Sequence, residues 1–314
     1  MDNFDSRGIA PDGEIGGSPL AGAGKSRAGL ARDILVSLRP KQWIKNLVVF
    51  AGLIFSQNVF NWDLQLTVWA AFAGFCAVVS AGYLINDVLD RERDRFHPVK
   101  KDRPIASGRV DAATAVAISG LLIAAALGFG LAIEPLMSLF FAFYIVLQLL
   151  YTFVLKHLMI LDVLGIAAGF VLRAVAGGAV IHAYISPWLV LCTLLLALFL
   201  ALAKRRAELT LLEGESANHR SILEHYSLAL LDQMIGVAAA ASLVSYSLYS
   251  FTALDSEWMM LTIPFVLYGL FRYLYLLHRR QRGGSPEQVL LTDVPLLINV
   301  VLWTATAYAV LHWT

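Results

Sequence analysis

The chain has 314 residues, of which 58% are hydrophobic and 15% charged, and its formal net charge is +1. A soluble domain carries ~45–50% apolar and ~25% charged residues, so an ordinary water-soluble enzyme is excluded. The near-neutral charge leaves no strongly basic face for nucleic acid, and two cysteines in apolar runs, Cys76 and Cys192, form neither a disulfide framework nor a CxxC metal pair.

Residues 1–35 are expected to be a disordered cytosolic tail. The first 30 are rich in Gly, Ser and Ala and lack the long apolar run of a signal peptide. Residues 36–314 read as one all-α integral membrane domain. A helix needs ~20 predominantly apolar residues to cross a bilayer. Nine candidate spans follow: 42–57, 65–85, 110–133, 136–155, 158–181, 186–203, 229–252, 258–278 and 290–312. Backbone polar groups find no water at that depth, so helices are the economical way across.

The 24 Lys and Arg residues orient these nine expected transmembrane helices. Seven precede or begin the first span, seven follow the second, one follows the fourth, four follow the sixth, four close the eighth, and one, Arg173, lies inside the fifth. The loops after spans one, three, five and seven, and the C-terminus, hold none. The positive-inside rule then places the N-terminus and the even-numbered loops in the cytosol and the C-terminus outside, with a bacterial inner membrane as the expected location.

The polar residues that interrupt this pattern gather at the basic ends of the spans. The first span opens with RPKQWIKN, where Lys41 and Lys45 share a helical face around Trp43. They either snorkel to the interface or hold an anion. Asn46 lies in an apolar stretch and needs a buried partner. The second span runs into NDVLDRERD, with Asn86, Asp90 and Asp94 every fourth residue on one helical face and Asp87 within a turn of Asp90. Clustered carboxylates repel one another unless a cation holds them. Oxygen ligands at a span end suit Mg²⁺, which uses one or two carboxylates plus substrate phosphates; the alternative is a solvated helix end paired to Arg91, Arg93 and Arg95.

Lys101 and Arg103 follow in a basic loop that either closes on a phosphate or only sets topology. Tyr151, Lys156 and Asp162 mark the rim between spans four and five. Arg173 lies inside the fifth span, where an ionisable residue points to a site or to a buried partner. Lys204, Arg205, Glu208 and Arg220 close the sequence of rim residues with a basic face suited to a phosphorylated substrate. GAGKS at 22–26 lacks the first glycine of a P-loop, and the seven histidines lack zinc spacing.

NDVLDRERD followed by KKDRPIASG resembles the first aspartate-rich motif of the UbiA prenyltransferase superfamily. LRPKQWIKNLVVFAGLIFSQ, LKHLMILDVLGIAAGFVLRAVAGG and LAKRRAEL resemble its decaprenyl-phosphate phosphoribosyltransferase branch. The resemblance spans roughly residues 36–312 and implies a UbiA-like bundle of nine helices with a site facing the cytosol. It implies Mg²⁺ held by Asn86, Asp87, Asp90 and Asp94, with the three aspartates catalytic. It further implies transfer of a phosphoribosyl group from 5-phosphoribosyl 1-diphosphate to a polyprenyl phosphate, for envelope arabinan precursors. Lys41, Lys45, Lys101, Arg103, Lys204, Arg205 and Arg220 become candidate phosphate clamps. Aromatic prenyltransferases of the superfamily carry a second acidic motif where this chain has Lys204, Arg205 and Glu208. Aromatic or haem prenylation is therefore the alternative, and a non-enzymatic lipid carrier a more distant one; a homo-oligomer is left open.

Overall fold

A computed structural model describes residues 27–97, 100–212, 221–252, 257–279 and 286–313. Helix α1 spans Arg27–Ser37, and a 3₁₀ run, Pro40–Phe50, leads into the short α2, Ala51–Phe55. Then come α3 (Trp62–Leu89), α4 (Arg91–Arg95), α5 (Ala112–Ile133), α6 (Pro135–Phe153), α7 (Leu161–Ala179), α8 (Pro187–Leu212), α9 (Leu228–Thr252), α10 (Ile263–Arg279), α11 (Pro286–Thr292) and α12 (Val294–Trp313). Eight helices among the described residues are long and apolar enough to cross a membrane. The chain is a multi-pass, all-helical membrane protein.

Local chemistry sets the helix starts. The Asn61 side chain accepts the Asp63 and Leu64 N–H groups at the start of α3, and Asp111 does the same for α5. Glu134 accepts the Leu136 N–H ahead of α6, with Pro135 at the first helical position.

Two expectations change. The supposed tail is helical from Arg27, because Leu30, Ile34 and Leu38 recur at helical spacing and pack on Leu84, Ile105 and Val110; residues 1–26 lie outside the described residues. The first expected span, 42–57, is not one α-helix. Its 11-residue 3₁₀ run and five-residue α2 extend for ~30 Å at ~2.0 and ~1.5 Å per residue, about the thickness of the hydrocarbon core.

Glycine explains how an irregular segment packs at that depth. A Cβ on Gly177 would overlap the Val49 carbonyl, and one on Gly52 would overlap the Gly178 backbone. The 3₁₀ run and α2 therefore lie directly against α7, as small residues allow inside membranes. The run also descends α3 rung by rung. Arg39 meets Asp87 at 2.6 Å, Trp43 Nε1 donates to Ser80 Oγ at 3.0 Å, and Asn46 Nδ2 donates to Cys76 Sγ at 3.2 Å. Two larger apolar clusters complete the core, one joining the 3₁₀ run, α2, α3, α5, α6 and α7, the other joining the start of α7 with α8, α9, α10, α11 and α12.

Candidate active site at the basic end of the bundle

A cavity of roughly 1970 Å³ opens between the two clusters. One face of α8 lines it from Pro187 to Glu208, a depth of ~32 Å at ~1.5 Å per residue. Its walls are mostly apolar and aromatic, whereas its mouth is charged: Arg39, Arg103, Lys156, Lys204 and Arg205 all border it, and Lys45 lines the cavity further down the 3₁₀ run.

The acidic motif sits on one side of this mouth. Helix α3 ends at Leu89, Asp90 caps it with φ −88° and ψ 2°, and α4 restarts at Arg91. The four ligand candidates are therefore not on one uninterrupted helix, although the Asp94 N–H to Asp90 carbonyl bond of 2.8 Å keeps the turn tight. Asn86, Asp90 and Asp94 line the cavity. Asp87 is 3% exposed and takes Arg39 at 2.6 Å and Arg103 at 3.1 Å on one oxygen. Arg103 also reaches Asp94 Oδ2 at 2.6 Å through the same Nη1, so two carboxylates share one guanidinium nitrogen.

Asp90 differs from its neighbours. Its cationic contacts, Lys156 Nζ and Arg93 Nη1, both stand at 3.9 Å, and its direct hydrogen bond comes from Asn86 Nδ2 at 3.1 Å. No group of three His, Cys, Asp or Glu among the described residues could hold a metal by itself. The oxygen donors of Asn86, Asp90 and Asp94 nevertheless fit a hard divalent ion that completes its shell with substrate phosphates. Asp87 lies behind them, does not line the cavity and holds Arg39 and Arg103.

Across the mouth lies a second network. Arg205 is 1% exposed; its Nε donates to Asp162 Oδ2 at 2.7 Å and its Nη1 to Glu208 Oε2 at 2.6 Å, while Nη2 lies 3.4 Å from the Tyr151 hydroxyl. Tyr226 donates to the other Asp162 oxygen at 2.8 Å. Burial pushes the Tyr226 phenol up to about 12, so it stays a donor at physiological pH. Asp162 is fully buried and both its oxygens are used, so it braces Arg205 rather than reaching the cavity.

Arg173 lies eleven residues past Asp162, ~16 Å deeper at ~1.5 Å per residue. Its Nη1 donates to Asn46 Oδ1 at 2.7 Å, its Nε donates to the Gly169 carbonyl at 2.9 Å, and the rings of Phe170 and Tyr144 cover it at 4.5 and 5.3 Å. It borders the cavity, and its bonds give it and Asn46 a structural role, holding the 3₁₀ run to α7. Lys41 and Lys101 are exposed and do not line the cavity, unlike Lys45. Arg220 lies outside the described residues. Sequence reasoning missed Arg39 because its only local signal is the following proline, and it missed the role of Tyr226 because the partner residues lie 64 and 66 positions away.

A helical membrane bundle whose apolar cavity ends in paired acidic and basic walls defines a class that handles an apolar chain with a phosphate head. The UbiA prenyltransferase family model matches residues 46–292; the chain belongs to that family. It is 35% identical over 312 residues to the decaprenyl-phosphate phosphoribosyltransferase of Mycolicibacterium smegmatis, covering 94% of this chain and 96% of that one. The enzyme of the same name from Corynebacterium glutamicum is 35% identical over 284 residues, covering 87% and 85%. A UbiA homologue from Archaeoglobus fulgidus, solved with GPP and Mg²⁺ bound, superposes with a TM-score of 0.69 at 18% identity, over 89% of this chain and 99% of that one.

Proposed function

We propose that this protein transfers the 5-phosphoribosyl group of 5-phosphoribosyl 1-diphosphate to a polyprenyl phosphate, decaprenyl phosphate by analogy with its relatives, and releases diphosphate. The observation that carries the reading is the mouth itself. Anion-binding side chains crowd one end of an apolar cavity deep enough for a long isoprenoid, and the relatives that match nearly the whole chain bear that name. The mouth faces the cytosol, where the basic loops lie, and Pro40–Phe55 supplies the ninth crossing.

Asn86, Asp90 and Asp94 would hold a divalent cation, Mg²⁺ by preference. When bound, it supplies positive charge beside the leaving diphosphate. The protein does the rest by placement. Arg103 and Arg39, already seated on Asp87, and Lys156 face the diphosphate. Lys45, Lys204 and the terminal nitrogens of Arg205 face the remaining phosphates. A lipid phosphate oxygen attacks the anomeric carbon from the side opposite the departing diphosphate, forming the C1–O bond as the old one breaks, with inversion. A phosphate anion needs no general base, so orientation and electrostatics dominate the rate. The apolar wall below the mouth excludes water, which would otherwise compete for the same carbon.

The test is direct. Purified protein with polyprenyl phosphate, labelled phosphoribosyl diphosphate and Mg²⁺ yields a ribosylated lipid. Failure with every chain length tried, or prenylation of an aromatic acceptor from a prenyl diphosphate instead, refutes the reading.

A further inference from the structure

Tyr226 belongs to the turn ahead of α9, yet its side chain is buried against the start of α7. Its hydroxyl accepts the Ile160 N–H at 2.9 Å and donates to Asp162 Oδ1 at 2.8 Å. Both partners are under constraint. Ile160 has φ 70° and ψ −46°, a positive-φ conformation close to the strained γ-turn that a β-branched residue adopts only where its surroundings impose it. Asp162 passes the constraint on, because its second oxygen holds the Nε edge of Arg205 at 2.7 Å.

Fixing that edge sets the direction of the other one. Arg205 borders the cavity with Nη1 on Glu208 and Nη2 only 3.4 Å from Tyr151. A guanidinium has five N–H donors. Among the described residues the contacts named here use three, which leaves one N–H on each terminal nitrogen for a phosphate in the cavity.

We propose that Tyr226 is a positioning residue for the transfer reaction: by pinning the strained Ile160 turn and Asp162, it aims the Arg205 fork at a phosphate of one of the two substrates. This rests on the phosphoribosyl-transfer reading above. The phosphate belongs either to the sugar donor or to the lipid acceptor, and kinetics separate the two.

Tyr226→Phe keeps the ring and removes one hydroxyl. In the purified full-length protein, KM for the substrate that Arg205 holds rises about tenfold, the scale of a lost hydrogen bond to a charged partner. Meanwhile kcat and the KM of the other substrate stay within about twofold, the pattern of lost ground-state binding. A packing role alone would lower the melting temperature and the active fraction and leave both KM values unchanged, which overturns the proposal. In an Arg205→Lys background, Tyr226→Phe should change neither KM further; additive effects overturn it as well. Should Tyr226→Phe fail to fold, the double variant Tyr226→Phe/Ile160→Gly carries the same comparison, because glycine takes φ 70° without strain. Wild-type product formation tests the reaction separately. If the wild type makes no ribosylated lipid, Kd values for phosphoribosyl diphosphate and for polyprenyl phosphate still decide the placement role: values equal in wild type and variant for both ligands overturn it.

Discussion

Replacing Asp90 with Asn separates catalysis from folding more sharply than any other change in the acidic motif. The side chain is 22% exposed and its cationic neighbours stay at 3.9 Å. Interactions of that length and exposure contribute ~0–1 kcal/mol, and the Asn86 bond to it survives in the amide. The metal-free protein should therefore melt within a degree or two of wild type, a shift of well under ~1 kcal/mol. Turnover should fall ~10²–10³-fold, the usual loss when one group stabilising transition-state charge is removed. Asp87→Asn should behave in the opposite way. It strips two arginines of a buried partner at 2.6 and 3.1 Å. The loss is about 3 kcal/mol of stability, at the low end of the ~3–5 for breaking a buried pair because both arginines are 28% exposed. The assay pairs thermal melting in detergent, with and without Mg²⁺, with initial rates on labelled phosphoribosyl diphosphate. If Asp90→Asn turns over within threefold of wild type, or if it unfolds as readily as Asp87→Asn, the assignment of Asp90 to the metal face is wrong.

Arg103→Met leaves Asp94 and Asp87 without their shared cation, so its melting temperature should fall in EDTA and recover more in Mg²⁺ than that of wild type; equal Mg²⁺ responses would count against a cation site there. Chelation should abolish wild-type turnover while barely moving its melting curve, because Arg39 and Arg103 already neutralise the buried carboxylates; activity that survives EDTA would remove the metal from the scheme. Gly177→Ala drives a methyl group into the Val49 carbonyl, and the displaced 3₁₀ run should cost ~1–3 kcal/mol, in the range of overpacked cores; unchanged melting would show that this close approach is not maintained.

The all-helical, multi-pass architecture was legible in the sequence because it follows from long-range averages of apolar content. Eight helices come from runs of ~20 apolar residues, and the cations that border the cavity come from the Lys- and Arg-rich segments the sequence marks between them. The segment 42–57 departs from the expected α-helix for a reason equally physical. Apolar content cannot tell a 3₁₀ run from an α-helix, and what selects the stretched form is the contact of Gly52, Gly177 and Gly178, 125 residues apart in the chain. The motif Asn86–Asp94 was visible as chemistry but not as geometry. Four-residue spacing suggested a continuous ligand face, whereas the helix breaks at Asp90 and the buried Asp87 turns to Arg39 and Arg103.

Those pairings also explain how the mouth tolerates so many charges beside a membrane. Among the described residues, every deeply buried carboxylate there already carries an arginine: Asp87 and Asp94 share Arg103, and Asp162 holds Arg205. An unpaired buried charge would cost several kcal/mol, so the protein must fold with its acidic groups neutralised from within. On the proposed reading, substrate anions and a divalent ion would enter by exchange: the carboxylates of Asp90 and Asp94 would take the ion, and Arg39 and Arg103 would turn N–H groups to the phosphates. Asp90, whose cationic contacts both stand at 3.9 Å, is where that exchange would start at the lowest cost. Binding of metal and of phosphoribosyl diphosphate should therefore be strongly cooperative, since each releases a partner that the other needs. A titration in which Mg²⁺ leaves the Kd of phosphoribosyl diphosphate unchanged would contradict this exchange, whatever the turnover assays find.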